Sequence, residues 1–275
     1  KCIIGEKSGL NPDSILNKME ENTENFAINV VRRTKRFPKD EKFRAIFTVL
    51  RRWNSFTPTL TSSINHSKGG GYFVYFSCNN ETKGIVIDPG YDFLENLLSA
   101  GFRIGDINAV VISHAHPDHT DSLPSILSLF HEANGRLGKY LRDDVFNKKH
   151  LKLILSQGVF DQYYSGFIKP SQESLEDLIV VKAEKESELE LCYEHTFDDN
   201  KHSISIEAFP THHGDLMKGE SLGFIISIKE KRSPVRRIGY TSDAHWSDNF
   251  SSYFNKCNTV CAHLGSIIDI LGGRN

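Results

Sequence analysis

The chain has 275 residues, with 33 lysines and arginines against 35 aspartates and glutamates and a formal net charge of −2, so no overall field draws it to nucleic acid. No apolar stretch approaches the ~20 residues a membrane helix needs, no signal peptide is visible, and five scattered cysteines, an odd number, make no disulfide framework. Free thiols fit a reducing, cytoplasmic setting. The length suits one large domain or two small ones, and the composition, 39 % hydrophobic and 25 % charged, is ordinarily globular. Basic clusters at Arg32 to Arg36, Arg51-Arg52 and Lys229 to Arg237 read as solvated faces. The spacing Cys257-x-x-x-Cys261 lacks a second pair for a structural zinc, so both read as core thiols.

In chain order, residues 1–40 are polar and charged, with a weak helical pattern from Pro12 to Asn25 behind an Asn-Pro cap. They read as an N-terminal extension to a main domain over 41–275. The chain opens on Lys1 without a methionine, so a processed or excised segment is expected. Glu41 to Trp53 carries Phe43, Ile46, Phe47, Leu50 and Trp53, a spacing that fits either an amphipathic helix or the lead strand of a fold. Next come two strands, Gly69 to Ser77 and Lys83 to Asp88, a helix over Asp92 to Ala100, and a buried strand from Asn108 to Ser113. A helix over Ser122 to Ala133 follows, and strands interleaved with helices imply sheets covered by helices. A variable insert spans about 135–202. Within it Leu151 to Ser156 and Asp177 to Lys182 read as strands, and Gln157 to Glu176 is rich in aromatic residues that either cap a pocket or pack as a surface helix.

Between the Asn108 strand and the next helix lies His114-Ala115-His116-Pro117-Asp118-His119. Three imidazoles and a carboxylate share one hexapeptide directly after a buried strand. Alternation along an extended turn aims His114 and His116 at one metal while Asp118 and His119 reach a second. Mixed imidazole and carboxylate donors suit Zn²⁺, with Mn²⁺ or Fe as substitutes.

His-x-His-x-Asp-His after a buried strand resembles the signature of the metallo-β-lactamase fold superfamily of metallohydrolases, and the resemblance runs from about Gly69 to the end of the chain. It implies an α/β fold, a four-layered αββα sandwich, with a carboxylate at a strand end beneath the metals where Asp88-Pro-Gly90 stands. That tripeptide also reads simply as a turn. The family's third histidine for the first metal follows a strand, here Ser203 to Phe209, and the sequence then offers His212 and His213. Adjacent residues of an extended segment cannot both face one metal. The Pro-x-x-His-Gly spacing favours His213 as ligand, leaving His212 as a neighbour or proton carrier, or a plain surface histidine. Asp243, ending the short strand from Arg236, matches the carboxylate that bridges two metals, although Ser242-Asp243 also suits a helix cap. His263, after the apolar strand from Asn258, takes the place of the last ligand, although many members put that histidine further along. His245 is a lesser candidate for a substrate contact.

The resemblance therefore implies an enzyme with two divalent ions, Zn²⁺ before Mn²⁺ or Fe. His114, His116 and His213 would hold one ion and Asp118, His119, Asp243 and His263 the other, with a bridging hydroxide as nucleophile and Asp118 placed to orient it. The metal motif fixes the reaction type and leaves the substrate open. The Pro210-to-Gly214 run and the Ser-Leu-Gly-Phe strand start at Ser221 resemble the phosphodiesterase and transfer-RNA-processing branches. A small-molecule or nucleotide substrate is expected, with nucleic acid as an alternative and no membrane contact. Two competing functions stay open. One is hydrolysis of a carboxyl derivative or peptide amide by an effector domain of a larger bacterial protein, fused to or associated with other domains. The other is a non-catalytic metal-binding interaction module.

Overall fold

A computed structural model describes residues 43–50, 70–79, 81–135, 149–183, 188–197, 201–214, 220–231, 233–245 and 247–263, together with 13–14, 16–18 and 20–22. Most of the N-terminal extension, and the basic clusters at 32–36 and 51–52, lie outside the described residues. Among those described, no helix is long and apolar enough to cross a membrane.

The strands form two sheets. The first has six strands in chain order: β1 (Arg44–Val49), β2 (Tyr72–Cys78), β3 (Glu81–Ile87), β4 (Ala109–Ile112), β5 (Leu151–Ser156) and β6 (Leu175–Val181). Its first three strands are antiparallel, and β3 to β6 run parallel. The second sheet holds β7 (Glu190–Thr196), β8 (Ser203–Thr211), β9 (Ser221–Lys229), β10 (Arg236–Asp243) and β11 (Thr259–His263). Neighbours from β7 to β10 are antiparallel and β11 lies parallel to β10, so β8, β10 and β11 all end at one rim. Between the strands lie the helices α1 (Phe93–Ser99), α2 (Pro117–Thr120), α3 (Leu123–Asn134), α4 (Gln157–Tyr163) and α5 (Asn249–Phe254), besides shorter helical turns such as Ile104–Asp106.

Side-chain alternation explains why the sheets stack. Tyr72, Val74 and Phe76 of β2, Ile85 and Ile87 of β3, and Ala109 and Val111 of β4 face the inter-sheet core, where Ile204, Ile206, Leu222, Phe224 and Ile226 meet them. The residues between, Phe73, Tyr75, Val86, Val110 and Ile112, face the other way into a second core. That core is closed by Phe93 and Leu97 of α1 and by Leu123, Ile126, Leu127 and Phe130 of α3, the i, i+3, i+4, i+7 stripe of an amphipathic helix. On the far side, Phe250 and Tyr253 of α5 cover Phe209 and Ile225. The layers are helix, sheet, sheet, helix, the αββα sandwich. Strands buried on both faces read as unbroken apolar runs, which is why β4 is Ala-Val-Val-Ile.

Glu41 to Trp53 contains a strand. Ile46 of β1 packs toward the helical core, whereas Phe43, Ala45 and Phe47 pack toward the inter-sheet core, a period of two. Within the span 135–202, β5 and β6 extend the first sheet and β7 edges the second. The aromatic stretch after β5 is α4 followed by further helical turns, with Phe160, Tyr163 and Tyr164 packed on the helical core.

Two glycines let backbones touch beside the β3 terminus. A Cβ on Gly71 would fall 2.0 Å from the carbonyl oxygen of Asp88, and one on Gly90 would fall 1.7 Å from that of Asp118. Main-chain atoms cannot yield as a flexible side chain does, so Gly71→Ala and Gly90→Ala should each lower stability by about 1–3 kcal/mol. Gly166→Ala, with open space around the added carbon, should stay within about 0.5 kcal/mol of the parent in urea unfolding.

Candidate metal centre

The donors leave the rim where the parallel strand ends of both sheets meet. His114 follows β4, His212 and His213 follow β8, and Asp243 and His263 close β10 and β11. Leu222 N–H donates to the Ser113 carbonyl (3.1 Å), tying the two sheets at this rim. After β4 the chain bends at Ala115, and His116 (φ −65°, ψ 143°) is the extended N-cap of α2, with Pro117 as its first residue. The extended run expected through His119 is corrected here. Proline has φ preset for a first helical position, so Asp118 and His119 sit on a helical turn, both buried. Thr120 Oγ1 donates back to the His116 carbonyl (2.9 Å) and meets Tyr163 OH at 2.7 Å.

Ring nitrogens converge on this turn. His114 Nε2 lies 3.2 Å and His213 Nε2 3.0 Å from His116 Nδ1. His119 Nε2 is 3.1 Å from Asp118 Oδ2 and 3.5 Å from Asp243 Oδ1. Among the described residues, His114, His116 and His213 form one group, and His114, His119 and Asp243 another, whose donor atoms all lie within 4.8 Å of one another. Neither group includes Asp118 or His263. His263 meets the cluster through Asp243, with its Nδ1 2.6 Å from Oδ1. His213 carries the ring that turns inward. His212 is exposed, its carbonyl accepting from the His245 N–H (2.7 Å), and His245 is exposed as well.

Beneath the donors lies Asp88, fully buried, in left-handed backbone conformation (φ 50°). Its carboxylate accepts from Ser113 N–H (2.7 Å), Ser113 Oγ (2.7 Å), Tyr240 OH (2.5 Å) and His119 Nδ1 (2.8 Å). A proton held on Nδ1 leaves the His119 Nε2 lone pair for the site, the arrangement that orients metal-bound histidines generally. His114 is anchored likewise, its Nδ1 3.0 Å from Ser113 Oγ and 3.3 Å from Ser242 Oγ.

The charge states follow from these contacts. Burial, then repulsion from His119, pushes the His114 imidazole down to about 2, so it is neutral near pH 7 with Nε2 able to donate a lone pair. Burial also lowers His213. In Asp243, burial opposes the charge, but hydrogen bonds from His119 and His263 hold the carboxyl well below its usual range. Burial likewise opposes ionisation of Asp88, and the pull of His119 overcomes it. His119 goes the other way. Burial works against its charge, yet Asp88, Asp118 and Asp243 raise it well above 6.5. Imidazoles crowded at about 3 Å beside carboxylates are a donor set that fits divalent cations.

Sequence reasoning missed Ser113, Ser242, Tyr240 and Tyr72 as supports of the site, because single hydroxyls carry no spacing signal. Beside Ala115 opens a cleft of about 400 Å³, lined by Gly158, Asp161 and Gln162 of α4 and by Glu220.

The profile of a beta-lactamase superfamily domain matches residues 83–265. A search of curated protein sequences finds no match. Among solved structures, the metallo-beta-lactamase fold protein YhfI from Bacillus subtilis is similar at TM-score 0.50 and 14 % identity, over 79 % of this chain and 70 % of that one. The short form of human tRNase Z is similar at TM-score 0.50 and 18 % identity, over 79 % and 76 %. A long-form RNase Z from yeast reaches TM-score 0.53 at 12 % identity, over 97 % of this chain but 39 % of its own. At such identities the likeness is one of fold.

Asp88→Asn preserves shape and tolerates the left-handed backbone but removes the charge facing His119. It should weaken zinc binding about 10- to 100-fold in a chelator competition; unchanged affinity would remove Asp88 from the site. The His119 charge also sets a pH dependence. A group raised above its ordinary 6.5 stabilises the fold fully below that value and loses its contribution as pH rises through the raised one. Metal-free protein should therefore melt lower at about pH 9 than at about pH 7. Zinc-loaded protein, whose Nε2 no longer carries the proton, should lack this decline.

Proposed function

Because this chain belongs to the beta-lactamase superfamily, we propose that it is a dinuclear metal-dependent hydrolase acting on phosphodiester bonds. The observation that carries the reading is the meeting of the His114, His116 and His213 group with the His114, His119 and Asp243 group at one rim. His114, His116 and His213 would hold one ion. Asp118, His119 and Asp243 would hold the other, with Asp243 between them. Two divalent cations, Zn²⁺ with Mn²⁺ or Fe as substitutes, would supply Lewis acidity and a water acidic enough to ionise near neutral pH.

The chain's own groups do the rest. Asp118, beside His119 Nε2, orients the attacking water and takes up its proton. His212, exposed and next in the chain to the cluster's His213, exchanges a proton with solvent or with the departing oxygen. The cleft beside Ala115 receives the part of the substrate flanking the phosphate. Its carboxylates, Asp161 and Glu220, repel further phosphates, and the overall charge of −2 adds no attraction for a polynucleotide. Both favour a compact nucleotide or other small diester over a long RNA. Ribonuclease names on two of the similar folds support phosphodiester over carboxyl chemistry. A cytoplasmic setting and association with further domains belong to the same proposal.

Metal-loaded protein should hydrolyse bis-p-nitrophenyl phosphate, and chelation should abolish this. His116→Ala and Asp118→Ala should each lower the rate by about 100-fold or more, whereas His212→Ala should cost at most about tenfold. Cleavage of a lactone, thioester or cephalosporin with no diester turned over would overturn the reading.

A further inference from the structure

His263 stands where the sequence resemblance places a last metal ligand, but the contacts of its ring say otherwise. Its Nε2 lies 2.8 Å from Tyr72 OH and its Nδ1 2.6 Å from Asp243 Oδ1. A neutral imidazole has one N–H and one lone pair. An ionised carboxylate only accepts, so the proton is on Nδ1 and the lone pair is on Nε2, where the phenol donates to it. Neither nitrogen is then offered to a cation. We infer that His263 is a positioning residue which fixes the Asp243 carboxylate, and that Tyr72 sets its tautomer from the opposite sheet.

The surroundings make this arrangement rigid. Parallel pairing of β10 with β11 brings Asp243 opposite His263 after a register shift, and the His263 N–H donates to Thr241 Oγ1 (3.0 Å). Tyr72, buried at the start of β2, stacks on Phe47 (centroids 5.6 Å apart) and meets Tyr240 edge-on (5.2 Å, 67°). Tyr240 in turn donates to Asp88. Two phenols from different sheets thus each support one arm of the site. Tyr240 reaches His119 through Asp88, and Tyr72 reaches Asp243 through His263. The pattern is that of an outer residue orienting a ligand, with carboxylate and imidazole exchanged between the two arms.

This inference rests on Asp243 being a ligand, so Asp243→Ala is measured first; if zinc content and affinity do not change, the metal-centre reading fails, not this one alone. The test proper compares zinc content and chelator-competition affinity of His263→Ala, His263→Asn, His263→Gln and Tyr72→Phe, with the absorption spectrum of cobalt-substituted protein as a second readout. Near-ultraviolet circular dichroism checks that each variant keeps its packing. Asparagine puts a donor near the place of Nδ1, and glutamine puts one near the place of Nε2. A positioning role predicts that His263→Ala keeps the parent's number of ions but binds zinc about tenfold more weakly. His263→Asn should recover most of that loss and His263→Gln little of it. Tyr72→Phe should weaken binding in the parent yet add nothing to His263→Ala. Loss of one ion in both the Ala and Asn variants, with a changed cobalt spectrum and an indifferent Tyr72→Phe, would make His263 a ligand and overturn the inference. So would a His263→Ala protein that binds zinc like the parent.

Discussion

A single buried carboxylate governs this molecule. Burying an isolated charge costs several kcal/mol even after the protein relaxes, and Asp88, with none of its surface exposed, stays ionised only because four donors surround it. Those donors arrive from the exit of β4, from α2 and from β10. Satisfying them fixes the stacking of one sheet on the other, the rotation of the His119 ring and the point at which β4 gives way to its loop. The left-handed turn at Asp88 is the local strain that makes this possible, since it bends the end of β3 inward where a strand would otherwise run past.

Around that charge the division of labour is plain. Interleaved apolar side chains from two sheets and two helical layers supply most of the burial and hold the strand ends still. The candidate ligands gather at the rim where those ends meet. Donor side chains that sit one to a few residues beyond a rigid strand have little freedom left to lose, so the imidazoles keep their separations near 3 Å. Hydroxyls of Ser113 and Ser242, 2.6 Å apart, fill the space between the carboxylate below and His114 above.

Much of this was legible in the chain. The hexapeptide from His114 to His119 announces itself because its donors are local, and β5 appears with the limits Leu151 and Ser156 because its apolar run is bounded by polar residues. The choice of His213 over His212 could be argued from spacing, and it is the His213 ring that joins the cluster. Other features escape for physical reasons. Phe43, Ile46, Phe47 and Leu50 satisfy both a helical and a strand spacing, and only pairing with β2 selects the strand. The turn of α2 covers four residues, too few for any periodicity. Tyr72 and His263 are 191 residues apart, so no local pattern can join them.

The separation of the donors in the chain has a consequence for the order of assembly. His116 and His213 are 97 residues apart, and Tyr240 reaches Asp88 across 152, so the two halves of the site close over long loops and form among the last contacts of folding. Before the sheets dock, the first half lacks the donors His213 and Asp243 that complete both groups. A cation bound at this rim would meet its full donor set only once the sheets have docked, and would act as a rivet across a finished seam instead of as the nucleus from which the halves grow.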